Sequence, residues 1–201
     1  MNIKEIKEYV KNTYNVNCLL DRTGANTKLK KSSKGIYNVA GLSLMPSLKF
    51  CPMSFIAECF KECLKSAGRG KFNNVVNARN NKSNFYNNDY DLFITLLKYE
   101  LELHVINCKK NNVNPSARLN VLSDIPYEKT DIFNTFQEIY FYDYTKRANR
   151  LKACNDIKNY KLMFSYSGAE GYQKQVIKAL EFNNPIAVVF KNEFPKTFLN
   201  R

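Results

Sequence analysis

The sequence contains one histidine, His104, and no tryptophan. A hydrolase that relies on a histidine base has a single candidate for it, and zinc motifs built on paired histidines are excluded. Neither a Gly-x-x-x-x-Gly-Lys phosphate loop nor a Gly-x-Ser-x-Gly nucleophile turn occurs, which removes two common enzyme signatures. No apolar run approaches the ~20 residues that a membrane-spanning helix requires, since "IAVVF" is short and "ITLLKYELEL" is broken by charge. The opening "MNIKEIKEYVKNTY" lacks the apolar centre of a secretory signal and instead places Ile3, Ile6, Tyr9 and Val10 as a short amphipathic helix does. These absences predict a soluble, cytoplasmic protein whose thiols stay reduced, so its six cysteines are not read as a disulfide framework. Acidic residues are also scarce, 18 against 31 Lys and Arg, which leaves a net charge of +13. Such a balance attracts polyanions, nucleic acid above all, unless the charge is simply solvated in a lysine- and asparagine-rich composition.

What is present suits one α/β domain over residues 1–201, with 44% hydrophobic residues, 14 Phe and 13 Tyr available for a core. Residues 1–50 read as a helix, the basic loop "TKLKKSSKG" and a hairpin "IYNVAGLSLMP". Residues 51–110 read as helical: from Ser54 as cap, Phe55, Ile56, Cys59, Phe60, Cys63, Leu64 and Ala67 recur at steps of three and four up to Gly68. A short helix is expected around Val75 to Arg79. Asp89 or Asp91 then opens the longest helix, with Leu92, Leu96, Tyr99, Leu103 and Ile106 as its stripe. From residue 115 onward the apolar runs "ARLNVLSD", "EIYFYDYTK", "KLMFSYSG" and "PIAVVFKN" alternate with the helix-like "TDIFNTF" and "EGYQKQVIKALEFN". Strands alternating with helices imply a parallel sheet. At this length the expectation is a partial (βα) barrel or an open, mostly parallel sheet with a helical N-terminal half, its site at the C-terminal strand ends.

Cys51, Cys59 and Cys63 are the first candidate site. On a helix, Cys59 and Cys63 project from one face, and Cys51 folds back from the entry loop as a third thiolate. Soft sulfur ligands select zinc or iron–sulfur centres. Zinc wants a fourth ligand, whereas a [4Fe-4S] cluster on three cysteines keeps one iron open for S-adenosylmethionine, chemistry hosted by partial or full βα barrels. The competing reading makes Cys59 and Cys63 core residues on an apolar helix face. Cys18, Cys108 and Cys154 are isolated and read as structural or incidental, and His104 as a surface residue.

Other candidates cluster at predicted turns and strand ends. Arg69, in the Gly-Arg-Gly turn, and Arg79 can grip a carboxylate or phosphate of a cofactor. Arg118 and Asn120 share a strand face that continues to Asp124, and Asp124 or Asp143 is the expected partner of Arg118. Asp143 is a candidate base or ribose-binding carboxylate, Lys146 an anion contact, and Ser123, Ser165 and Ser167 lie where strands should end around a bound cofactor. Beyond Lys146, "TKRANR" reads as a solvated turn. The tyrosines beside these basic residues can also stack single-stranded nucleic acid, or simply fill a strand.

The stretch "CPMSFIAECFKECLKSAGRGKFNNVVNARNNKSNFY", with "ARLNVLSDIPYE", "IYFYDYTK", "LMFSYS" and "IAVVF", resembles an uncharacterised family of proteins encoded by bacteriophages and prophages. The resemblance runs from about Gly35 to Phe190 and implies a phage origin, the cytoplasm of a host cell and one shared site. More distantly the pattern resembles radical S-adenosylmethionine enzymes, which implies Cys51, Cys59 and Cys63 as cluster ligands. In this chain seven and three residues separate the cysteines, against three and two in the familiar radical motif, and no Gly-Gly-Glu segment follows a strand. Relatives continue beyond the segment in which this sequence ends at Arg201, so part of a site is expected there. The leading expectation is an iron–sulfur, radical S-adenosylmethionine-like protein acting on a nucleotide or nucleic acid. The alternatives are a non-enzymatic, basic nucleic-acid-binding protein with core or zinc-binding cysteines, and a small protein that meets a host factor.

Overall fold

In the computed structural model the N-terminus folds as helix α1 (Ile3–Tyr14). Asn2 caps it: its Oδ1 accepts from the backbone N–H of Lys4 and of Glu5 at 3.0 Å, and Glu5 accepts from the Asn2 N–H at 2.9 Å. This reciprocal box satisfies donors that a first helical turn leaves open. Asn2→Ala is expected to lower stability by about 1 kcal/mol, seen as an earlier urea midpoint at unchanged slope. The structure describes residues 1–21, 29, 35–61, 63, 68–191, 193 and 195–198. Most of the basic loop "TKLKKSSKG" and residues 64–67 lie outside them.

Among the described residues, β1 (Leu20–Asp21), β2 (Tyr37–Leu42), β3 (Asn114–Arg118), β4 (Tyr140–Thr145), β5 (Tyr160–Ser165) and β6 (Ile186–Ala187) form one sheet in that order. β1 runs antiparallel to β2, and every later pair is parallel. The crossovers carry α2 (Asn73–Asn88) and α3 (Tyr90–Lys110), then α4 (Ile132–Thr135), α5 (Ala148–Cys154) and α6 (Gln173–Leu180). Strands added in sequence by crossovers of one hand place their helices on one face. The main core accordingly joins Ala40, Leu42, Ala117, Phe141, Leu162 and Phe164 of the sheet to Phe93, Leu97, Leu101, Phe133, Leu151 and Val176 of the helices. The expected open, mostly parallel α/β sheet is what forms; it does not close into a barrel. Among the described residues no helix is long and apolar enough to cross a membrane.

Polar clips hold α1–α3 to the sheet edge. Buried Lys82 on α2 donates to the Leu19 carbonyl at 2.7 Å and pairs with Asp21 at 2.9 Å. Glu100 on α3 accepts from the N–H groups of Leu19 and Leu20, both at 2.8 Å. Asp89 stands at the α3 cap position without a capping bond, because its carboxylate accepts the hydroxyls of Tyr9 and Tyr14 instead.

Several sequence expectations are corrected. Residues 52–61 form consecutive turns rather than a helix: Ala57 makes one i−4 bond to Met53, then Glu58 enters the left-handed region at φ 54° and the progression stops. Phe55 and Ile56 are exposed there, so the supposed apolar stripe does not exist. The hairpin is a single strand, β2, because its neighbours are β1 and the distant β3. Helix α2 extends well beyond Val75 to Arg79. On α3 the buried stripe is Phe93, Leu96, Leu97, Leu101, Val105 and Cys108, while Leu103 and Ile106 are exposed. Both stripes satisfy helical spacing, and the sheet chose between them. "ARLNVLSD" stops being a strand at Arg118, so parity does not carry from Asn120 to Asp124. "TKRANR" is not a solvated turn: it enters α5, and Arg150 is buried.

Candidate functional site

At the C-terminal ends of β3, β4 and β5 lies a cavity of about 280 Å³. The turn-built segment from Cys51 to Cys63 forms one wall and contributes Cys51, Ser54, Cys59 and Cys63. The strand ends and their loops contribute the rest, including Arg118, Asn120, Ser123, Asp124, Lys146 and Ser165. Residues more than a hundred positions apart meet here because parallel strands end on the same side of a sheet.

The cysteine segment is fastened at its start and at its middle. Cys51 Sγ donates to the Leu122 carbonyl at 3.4 Å, and the Asp124 N–H donates to the Phe50 carbonyl at 2.7 Å. Further along, Ser167 Oγ donates to the Ala57 carbonyl at 2.8 Å, and Cys59 Sγ donates to the Ser54 carbonyl at 3.7 Å. Burial pushes the Cys51 thiol up to about 12, with the charges of Asp124, Cys63 and Cys59 acting in the same direction. Burial also raises Cys59, while the Lys146 ammonium opposes that shift. The three sulfurs thus feel one another across a common space. Among the described residues, no three His, Cys, Asp or Glu side chains converge as a ligand set.

Lys146 leaves the end of β4 beside Cys59. Its Nζ donates to the Tyr166 carbonyl at 2.9 Å and lies 5.5 Å from the centre of the Tyr172 ring. Burial lowers its pKa, and the neighbouring Cys59 and Asp124 counter that shift. Arg118 packs over the Tyr144 ring at 4.9 Å and stands 3.7 Å from Asp143. Its Nε, like the Ser54 Oγ, is buried without a hydrogen-bond partner. Such orphans are few in folded proteins and point to a polar group that belongs beside them. Both line the cavity.

The remaining candidates divide by what they already hold. Asn120 is committed to shaping the loop: its Oδ1 accepts from Ser123 Oγ and the Ile125 N–H at 2.8 Å, and its Nδ2 donates to the Ile125 carbonyl at 3.0 Å. Asp143 lies beneath it, accepting the Asn120 N–H at 2.9 Å and its Nδ2 at 3.2 Å. Asp124 accepts from Thr145 Oγ1 at 2.8 Å, from the Lys146 N–H at 3.0 Å and from Arg150. With those partners, Asp124 lines the cavity, and Asp143 lies behind that lining, beneath Asn120. Ser165 lines the cavity, Ser167 anchors the cysteine segment, and Ser123 braces Asn120. Arg79 donates to the Gly70 carbonyl at 3.2 Å and so braces the turn that contains Arg69 rather than lining the cavity. His104 is half-buried with Nε2 3.1 Å from the Ser116 carbonyl, on the sheet rather than at the surface.

Sequence reading missed Arg150, Glu128 and Ser54. Arg150 forks onto Glu128 at 2.8 and 2.7 Å and reaches Asp124, so Asp124 is paired from α5 and not by Arg118. The available signal was Ala148, Leu151 and Cys154 at steps of three, an apolar stripe that makes "RANRLKAC" a helix with a buried side.

No curated protein and no solved structure matches the chain. A family model described as Gene product 88 matches residues 18–200, which takes in the cysteine segment, all six strands and every residue of the cavity. The chain therefore belongs to the Gene product 88 family.

Proposed function

We propose that Cys51, Cys59 and Cys63 hold an iron–sulfur cluster and that the protein is a phage-encoded enzyme of the radical S-adenosylmethionine type. The observation that carries this reading is one cavity at the C-terminal strand ends, lined by three thiols, a lysine and two orphaned buried polar atoms. The donor set fits by chemistry, since three soft sulfurs suit iron–sulfur ligation. The segment bearing them is built of turns, so no helical ladder dictates the spacing of the sulfurs. When bound on three thiolates, a [4Fe-4S] cluster offers an open iron to S-adenosylmethionine and supplies one-electron chemistry.

The chain's own residues have distinct tasks in this reading. Lys146 places a positive charge beside Cys59 and favours its thiolate. Arg118, whose Nε makes no hydrogen bond, offers a stacked, rigid guanidinium to a carboxylate or phosphate entering the cavity. Ser54 offers a hydroxyl from the opposite wall. Asp124, Asp143 and Asn120 keep the floor in place. The anchors at Cys51 and Ala57 hold the cysteine wall against the strand ends.

Anaerobic purification with metal analysis and an absorption spectrum tests this. Wild type is expected to contain about four irons per chain with a broad band near ~400 nm, and each single alanine variant of Cys51, Cys59 and Cys63 to lose both. Metal-free wild type, with variants that are only less stable, would overturn the proposal and make the segment a packing element. About one zinc per colourless chain would equally overturn it in favour of a structural site.

A further inference from the structure

We infer that the face of the sheet opposite the helices binds single-stranded nucleic acid, stacking bases on a row of tyrosines and leading the strand toward the cysteine cavity. Side chains alternate across a sheet, so the strand residues not pointing to the helices include Tyr37, Val39, Ser116, Arg118, Tyr140, Tyr142, Tyr144 and Lys161. β4 alone presents three tyrosines, at every second position. A tyrosine in a strand is ordinary when a second layer buries it. Here Tyr140 is 45% exposed and Tyr37 38% exposed, and among the described residues that face's own hydrophobic cluster gains only Leu29, Val121 and Leu122 from outside the strands.

Between the tyrosines lies a cleft of about 420 Å³, lined by Tyr37, Val39, Ser116, Tyr140 and Tyr142. The rings of Tyr37 and Tyr140 stand 6.4 Å apart on its rim, tilted 48° to each other. An apolar, aromatic-walled slot of this kind accepts the flat face of any base, which is how sequence-tolerant single-strand binders work. Strand register then gives the path. Tyr142 is the direct neighbour of Lys161 on β5, and Tyr144 lies one step nearer the strand ends under the Arg118 guanidinium. Arg118 and Tyr144 also line the cysteine cavity, so the row of tyrosines is continuous with it.

Charge selects the occupant. The face carries Arg118 and Lys161, and the one carboxylate of its parity among the described strand residues, Asp21, is already paired with Lys82 at 2.9 Å. With a net charge of +13 behind it, a polyanion with flat aromatic groups fits better than an acidic peptide, which has nothing to place in the cleft. Binding on this face does not require a metal at the cysteines. It adds a substrate class to the proposed enzyme if that reading holds, and stands as a binding function if it does not.

Fluorescence anisotropy of the full chain with a labelled twenty-nucleotide thymidine oligomer is the test, run with the cysteines intact and with Cys59→Ala. Binding is expected with both proteins, weakening steeply as salt rises because counterions are released. Tyr140→Ala and Tyr142→Ala are each expected to lower affinity by about 5- to 150-fold, the range for one lost base stack. Tyr140→Phe should bind as wild type, and so should Lys4→Ala on α1, which removes one charge far from the tyrosine row. Tyr37→Ala, at the exposed start of β2, provides a second reading if a β4 variant unfolds by circular dichroism. No binding, tyrosine variants that bind as tightly as wild type, or a Lys4→Ala protein weakened as much as they are, would overturn the assignment. Loss of binding in Cys59→Ala alone would also overturn it, since the track would then not be separable from the cavity.

Discussion

Arg150→Leu is expected to destabilise the protein by about 3–5 kcal/mol, the usual result of removing one partner from a buried charge network. Arg150 is 2% exposed and has no water to fall back on. Its Nε and one Nη make a forked pair with Glu128 at 2.8 and 2.7 Å, the other Nη reaches Asp124, and Tyr160 lies 3.2 Å away. One guanidinium therefore joins α5, the loop after β3, the turn at Tyr127–Lys129 and strand β5. Leucine fills much of the volume but leaves two buried carboxylates without a countercharge. Arg150→Lys should recover only part of the loss, because a lysine offers a point charge where the site presents a fork. The check is urea unfolding by circular dichroism. A change below about 1 kcal/mol for Arg150→Leu would mean that water, and not the protein, solvates Asp124 and Glu128. The same variant should loosen the cysteine wall, since the Asp124 N–H also holds the Phe50 carbonyl.

The second large effect is a pH dependence that originates at Asp143. Burial drives this carboxyl up from its ordinary 3.8 to about 6, against the opposing pull of Arg118, the Asn120 hydrogen bonds and Arg150. The folded protein thus binds this proton more tightly than the unfolded chain does. By linkage, the stabilising contribution is fully present below about pH 4 and is lost as pH rises through about 6. Asp143→Asn removes the titration while keeping an acceptor for the Asn120 N–H. The stability of wild type relative to this variant is expected to fall by about 2 kcal/mol between pH 4 and pH 7, because each tenfold difference in proton affinity between folded and unfolded chain is worth about 1.4 kcal/mol. Urea unfolding of both proteins at four pH values reads it directly. Parallel profiles would show that Asp143 is ionised throughout, held by Arg118 3.7 Å away. The dependence matters for the site because Asp143 supports Asn120, and Asn120 shapes the Ser123–Asp124 loop of the cavity.

Much of the fold was legible because the relevant signals are local. Ile3, Ile6 and Val10 announce an amphipathic helix by their spacing, and α1 follows. β4 and β5 read as strands from their own aromatic and aliphatic runs, and α6 from Tyr172, Val176 and Leu180, although Ile177, read onto the same face, is exposed. The site was legible in outline for a different reason. Parallel strands end together, so residues at the ends of predicted strands had to be neighbours, and Arg118, Asp124 and Lys146 do line one cavity, which the cysteine segment also borders.

Local signals failed where two answers had the same period. α3 carries two apolar stripes, and the sheet buried the one through Phe93, Leu97 and Leu101. The Cys51–Cys63 segment has a helical pattern, yet Phe55 and Ile56 found no surface to cover them and the chain turned at Glu58. Pairing was the least legible property of all. Charge alone offered Arg118 to Asp124 or Asp143; Asp143 stands 3.7 Å from it, while a buried arginine from an unrecognised helix took Asp124.

By itself, then, the sequence determined the alternation of strands and helices and the basic charge. Only the tertiary structure decided which face of each helix is covered, which arginine neutralises which carboxylate, and that the tyrosines of β4 face outward while Asp143 faces in. The physical reason is that periodicity and charge describe one segment at a time. Burial is a property of what packs against it.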